Sequence, residues 1–345
     1  MAGFEVVGRE SETARLHAAL GALTAGGSLV LCGDAGIGKT TLWEAGIGAA
    51  AERSVQVLAA RTSSADARLS HAGLIDLCDR IDEDAFATLK SPQRSALEVT
   101  LLRAEPSATP PEPQAVALGF LNVLRALAAR GPVLVAVDDV QWLDTSSADL
   151  LGFAARRLED EPVGFLLSRR GAEPAPLERV LDRRRLDRLE VGPLSFGATR
   201  RLLSERFGLS MSRALLQRVV DVTLGNPLFV VELGRALAEH GLPEGAADIP
   251  LPAGIDEMLG TRVASQPAPV RRLLVALALS GDLDVSELAA VESSAALDQA
   301  VDAGVILVAG HRGRPSHPLL AEAARQPGSQ DRKEKDDAGG DEENA

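Results

Sequence analysis

Five short strand-like runs rich in apolar residues punctuate the first 191 residues: SLVLC (28–32), SVQVLAA (54–60), PVLVAV (132–137), VGFLLS (163–168) and LDRLEV (186–191). Helix-compatible segments separate them, and continuous apolar strands joined through helices predict a parallel sheet covered on both faces. Between 62 and 114 the pattern is weaker, with a helix at AGLIDLCDRI and a turn-rich EPSATPPEP before a long apolar-periodic helix, AVALGFLNVLRALAAR. After Pro193 the strand signal stops. LSFGATRRLLSERF, SRALLQRVVDVT and PLFVVELGRALAEH carry apolar residues three and four apart and predict three helices, a helical lid. A Pro/Gly-rich break, GLPEGAADIPLPAG, precedes a further unit that reads as helix, helix (VRRLLVALAL), two short helices, then GVILVAG and a turn at HRGRP. Helices ending in a short hairpin suggest a winged helix. The expected division is an α/β core over 1–192, an all-α lid over 193–245, a winged-helix-like domain over 250–324 and a tail over 326–345. That tail holds seven acids, three bases and no large apolar residue, so it cannot bury enough surface to fold. No internal repeat is present.

Composition narrows the classes. The chain has 345 residues, 46% of them hydrophobic, enough for more than one core. A net charge of −13 and a pI near 5.0 argue against a general nucleic-acid or membrane-surface binder, because most of this surface would repel a phosphate backbone. Two cysteines, Cys32 and Cys78, are too few for a disulfide framework or a zinc site, and Cys32 reads as a small buried strand residue. MAGFEVVGRE is acidic and lacks the apolar core of a signal segment, and the longest apolar stretches fall far short of the roughly 18 residues a membrane span needs. A cytoplasmic protein is expected.

The candidate chemistry sits directly after the first strand. Residues 33–40 read GDAGIGKT, the pattern G-x-x-x-x-G-K-[ST], between SLVLC and the helix-like TTLWEAGIGAAAE. A triphosphate must be wrapped by backbone N–H groups with little side chain in the way, and Gly33, Gly36 and Gly38 permit that approach. Lys39 supplies a point charge for the β and γ phosphates, and the Thr40 hydroxyl can ligate Mg²⁺. Asp34, Ala35 and Ile37 complete the loop, and Thr41 follows in the first turn of a helix whose positive end faces the phosphates. Lysine is otherwise scarce: Lys90, Lys333 and Lys335 are the rest. A second half-site is expected on a buried strand ending in acids, and VLVAVDD (133–139) is that strand. Asp138 is assigned to the metal shell and Asp139 to the proton of an attacking water.

VLVAVDDVQWLDTSSADLLGFAARRL, with GDAGIGKTTL upstream and VGRESETARL near the N-terminus, resembles the ATPase module of the large ATP-binding LuxR-type regulators. Those are signal-transduction ATPases with numerous domains (STAND), related to the AAA+ class. The resemblance continues through LSHAGLIDLC, SPQRSALEV and TLGNPLFVVEL. It implies that Val7, Gly8 and Arg9 line an adenine pocket and that an arginine closing the VGFLLS strand senses the γ-phosphate, with Arg170 fitting the spacing and Arg169 as the alternative. It also implies that Asn226 and Pro227 of the GNP motif pack on the base, and that His317 in PSHPLL holds an ADP-bound closed state. Two departures stand out. Within residues 1–345 no stretch resembles the helical-repeat sensor or the helix-turn-helix of such regulators, and Arg314, Pro315 and Ser316 lack the aromatic expected before the histidine.

The function expected on these grounds is an ATP-binding switch ATPase that slowly hydrolyses ATP–Mg²⁺ to ADP and phosphate and signals through an unidentified protein partner in signal transduction or transcription regulation. A nucleotide-dependent homo-oligomer is compatible with it. A DNA-binding transcription factor using the winged helix is the first alternative; residues 251–322 hold five arginines against nine acids, which disfavours a phosphate backbone. A small-molecule kinase is the second, and no acceptor-pocket motif supports it.

Overall fold

The computed structural model describes residues 6–105, 110–158, 160–171, 173–182, 185–242, 259–260, 263–280, 282–303, 305–316, 320 and 324. The chain divides into two compact units, 1–192 and 193–345.

The first unit is built on a five-stranded parallel sheet. Its strands are β1 (Ser28–Cys32), β2 (Gln56–Arg61), β3 (Val133–Asp138), β4 (Val163–Arg169) and β5 (Leu186–Glu190), in the order β2-β3-β4-β1-β5. The five apolar runs are the five strands. β1, β3 and β4 are buried at every position, which is why they read as unbroken rather than alternating apolar segments. β2 starts two residues later than its apolar run. Ser54 takes a left-handed φ of 58° and the Val55 N–H returns to the Ala50 carbonyl, so those residues finish the preceding helix instead.

Helices cover both faces. α1 (Glu10–Leu23) and α2 (Lys39–Ala51) enclose one core with Leu16, Leu20, Leu42, Trp43, Leu29, Leu31 and Leu166. The sequence reading left 10–23 without an element, although Leu16, Leu20 and Leu23 already carry the helical spacing. On the other face lie α3 (Ala72–Cys78), α4 (Glu83–Ala87), α5 (Ser91–Thr100), α6 (Pro113–Ala128), α7 (Thr145–Ala155) and α8 (Pro176–Val180), packed on Val30, Leu58, Val135, Val137 and Leu167.

The second unit begins with α9 (Phe196–Phe207), α10 (Arg213–Thr223) and α11 (Pro227–His240), the three helices expected. Ser195, Ser212 and Asn226 cap their N-termini. Further on, α12 (Ala268–Ser280) leads through β6 (Leu283–Asp284) to α13 (Val285–Val291), α14 (Ser294–Asp302) and the hairpin β7 (Ile306–Ala309) and β8 (Arg312–Pro315). The small antiparallel sheet has the order β6-β8-β7. Leu203, Val219 and Leu233 share one core with Leu273, Leu277, Leu288, Leu297 and Ile306, so the stretches read as lid and third domain bury their apolar faces together. The tail over 326–345 lies outside the described residues, and no described helix is long and apolar enough to cross a membrane.

Candidate active site

The parallel sheet brings the ends of β1, β3 and β4 to one edge, and the phosphate loop leaves β1 there. Gly38 precedes α2 with φ near 100°, a conformation costly for any side chain, and no side chain caps the helix. The first N–H groups of α2 therefore lack both helical acceptors and a side-chain substitute, which suits them to an anion. Gly33 is required for a different reason: a Cβ there would meet the Val191 carbonyl at 2.7 Å. Lys39 is buried, and its Nζ donates to the carbonyls of Gly33 (2.9 Å) and Asp34 (2.7 Å), folding back over the loop. Burial draws its ammonium below the ordinary lysine value, against the opposing charges of Asp139 and Asp138. Arg9, also buried, donates to the Ile37 carbonyl at 2.7 Å and pairs with Glu12 at 2.6 Å, so it braces the phosphate loop; Gly8 beside it has a left-handed φ of 76°.

Across the loop stands the end of β3. Thr40 Oγ1 donates to Asp138 Oδ2 at 2.8 Å, joining residues 98 positions apart. Two hard oxygen donors side by side fit Mg²⁺, which is ordinarily held by one or two protein oxygens while phosphates and waters complete the shell. The other carboxylate oxygen of Asp138 accepts from the Ser168 hydroxyl on β4, and Ser168 Oγ in turn accepts the Asp139 N–H at 2.8 Å. Asp139 has a left-handed backbone, φ 51°, rare for a non-glycine residue and held by a network. The Thr62 hydroxyl contacts the carbonyls of Asp138 (2.9 Å) and Asp139 (2.8 Å). On the side chain, Arg170 Nη2 donates to Asp139 Oδ2 at 2.6 Å, while Arg170 Nε (3.2 Å) and Gln141 Nε2 (3.1 Å) both donate to Oδ1. Burial raises the Asp139 pKa, but these bonds outweigh it and hold the carboxyl below its ordinary value.

The two candidate sensor arginines part company. Arg170 lies on Asp139. Arg169 is buried on Glu178, Nε to Oε2 at 2.9 Å, and Arg188 closes on the other oxygen of Glu178 at 2.7 Å. These three residues, with Pro174, Arg179, Leu186 and Glu190, line a cleft of about 520 Å³ to which none of residues 33–40 contributes. Cys32 is buried at the end of β1, in register with Arg169 and Glu190, and burial pushes its thiol up to about 11.

Residues 33–40, Asp138, Asp139 and Arg170 are thus brought together in the first unit. Ser168, Thr62 and Gln141 were missed by sequence reading. Ser168 alone left a trace, as the polar interruption at the carboxyl end of an apolar strand. In the second unit, the Asn226 side chain accepts from the Leu228 N–H at 3.1 Å and caps α11, with Pro227 at its first position. His317 lies outside the described residues.

Residues 5–167 match the AAA ATPase domain family. One curated relative, an uncharacterized protein (R02095) of Rhizobium meliloti strain 1021, is 32% identical over 128 residues; the match covers 36% of this chain, which spans only 12% of that protein's length. Among solved structures, the RuvB Holliday junction branch migration motor of Thermotoga maritima aligns over 93% of this chain and 96% of its own, with 13% identity and a TM-score of 0.42. Cdc6p of Pyrobaculum aerophilum aligns over 94% of each chain, with 13% identity and a TM-score of 0.46. The replication initiator DnaA bound to AMPPCP and single-stranded DNA covers 85% of this chain and 87% of its own, with 14% identity and a TM-score of 0.46.

Proposed function

We propose that the chain is an ATP-binding switch ATPase. The observation that carries this reading is the Thr40–Asp138 contact at 2.8 Å, which sets the helix after the phosphate loop against the acid-ended strand. The uncapped start of α2 and the Gly38 turn suit a triphosphate, Lys39 supplies the side-chain cation of the loop, and Thr40 and Asp138 would hold Mg²⁺. Bound metal would offset phosphate charge. The γ-phosphate competes with Asp139 for the Arg170 guanidinium, so Arg170 senses the triphosphate and Asp139, once released, accepts the proton of the attacking water. The constrained Asp139 backbone holds the carboxylate in orientation for that proton.

The finer placement among STAND-type ATPases of LuxR-like regulators rests on the motif series from VGRESETARL to TLGNPLFVVEL. The order α12, β6, α13, α14, β7, β8 supports a winged-helix reading of the second half of the chain. Its acidic balance favours protein partners over DNA, and so a signalling output. Calorimetric titration with ATP and Mg²⁺ tests the core of the proposal. Wild type should bind, and Lys39→Ala should lose at least about tenfold in affinity because the loop's side-chain cation is gone. Equal affinity in a folded variant would reject the site.

A further inference from the structure

Gln141 is tied to both working parts of the site and belongs to neither. Its Nε2 donates to Asp139 Oδ1 at 3.1 Å, and its Oε1 accepts the Arg170 backbone N–H at 3.1 Å. The backbone beneath it is fixed: Trp142 N–H returns to the Asp139 carbonyl at 2.8 Å, Leu143 N–H returns to Val140 at 3.2 Å, and Val140 is buried. The Arg170 side chain, by contrast, is about half exposed on a long flexible stem.

We infer that Gln141 is the positioning residue that keeps Asp139 aimed once the Arg170 side chain has left it. This rests on the ATPase reading above. Two donors share Oδ1, but Arg170 alone supplies the described contact to Oδ2. When the guanidinium turns to a γ-phosphate, the Gln141 amide still holds Oδ1 and Oδ2 is freed. Because Gln141 grips the main chain of Arg170 rather than its side chain, the arginine can swing without releasing the strand end. The freed oxygen then accepts one proton from water as the water oxygen bonds to the γ-phosphorus. The bond to the bridging oxygen breaks with its electron pair staying on ADP, and Asp139 later returns the proton to solvent.

Two variants of the full chain separate this role from plain structural support. Gln141→Leu removes both contacts. Gln141→Glu can still accept the Arg170 N–H but cannot donate to Asp139. Both should bind ATP–Mg²⁺ within about twofold of wild type while single-turnover hydrolysis falls about ten- to a hundredfold, the worth of a hydrogen bond to a charged group. Where wild-type turnover is too slow to follow, the ratio of affinities for ADP–Mg²⁺ with and without aluminium fluoride should fall by a similar factor in both variants. Wild-type rates or ratios in Gln141→Leu would overturn the inference, as would wild-type behaviour in Gln141→Glu, which would leave Gln141 a strand anchor only. If wild type itself fails to bind ATP, the ATPase reading falls and this inference with it.

Discussion

Asp144 offers the sharpest test of how the site is held, because its carboxylate fastens the segment after the two acids to a distant turn. It is buried, and its Oδ1 accepts the Ser147 N–H at 2.9 Å, capping α7, and the His71 N–H at 2.8 Å; its Oδ2 accepts the Gly73 N–H at 3.1 Å. Asp144→Ala removes the cap and leaves the buried Gly73 and Ser147 N–H groups without their acceptor. A cap is worth about 1 kcal/mol and each hydrogen bond to a charged group about 1.5–3, but losses within one network are not additive, so about 3–5 kcal/mol is expected. Asp144→Asn keeps one acceptor oxygen and turns its amide against another N–H, for a loss of about 1.5–3 kcal/mol. Burial by itself would raise the Asp144 pKa, yet the bonds from Ser147, Gly73 and His71 win and lower it. The stability it contributes is therefore present above the unfolded carboxyl value, about 3.9, and is lost as pH falls through the lower folded value. The gap between wild type and Asp144→Asn should accordingly shrink below about pH 4. Urea unfolding followed by tryptophan emission reads the right unit, since both tryptophans, Trp43 and Trp142, lie within it. A loss under about 1 kcal/mol for Asp144→Ala at pH 7, or a gap that widens on acidification, would refute this account.

Asp139→Asn should retain ATP–Mg²⁺ affinity while phosphate release slows by about 10²-fold or more, since the amide cannot take the proton; equal release by both proteins would remove Asp139 from the chemistry. Glu178→Ala should destabilise the first unit by about 3–5 kcal/mol in the same urea assay, because the buried Arg169 is left without its counter-charge; a loss within error would mean that water replaces the carboxylate.

The centre of the sheet was legible because β1, β3 and β4 are buried on both faces, so each left an apolar run, and the phosphate loop because its chemistry fixes residue types at fixed spacing. The region between 62 and 114 was harder. α4 has five residues and α5 is amphipathic with no cap recognisable from side chains, so neither imposes a long periodicity. The boundary at Ser54 escaped for a different reason: a left-handed serine carries no composition signal, and only the return bond from Val55 shows that the helix is still ending there.

The choice between Arg169 and Arg170 shows where a sequence stops deciding. Consecutive residues at a strand end point to opposite faces, so one of the pair must look away from the phosphate loop, but the alternation does not say which. The decision lies with carboxylates contributed by other elements. Glu178, nine residues on and fully buried, needs counter-charge and finds it in Arg169 and Arg188; Asp139, just past the end of the neighbouring strand β3, is left to Arg170. The arginine on the solvent side is the one free to exchange partners. An ion pair that is half exposed costs little to break, whereas stranding a buried carboxylate costs several kcal/mol, so in the proposed function a triphosphate would recruit Arg170 rather than Arg169. The side chain best placed to sense a ligand is therefore the one the fold binds less tightly, and that ranking follows from burial, which a motif does not contain.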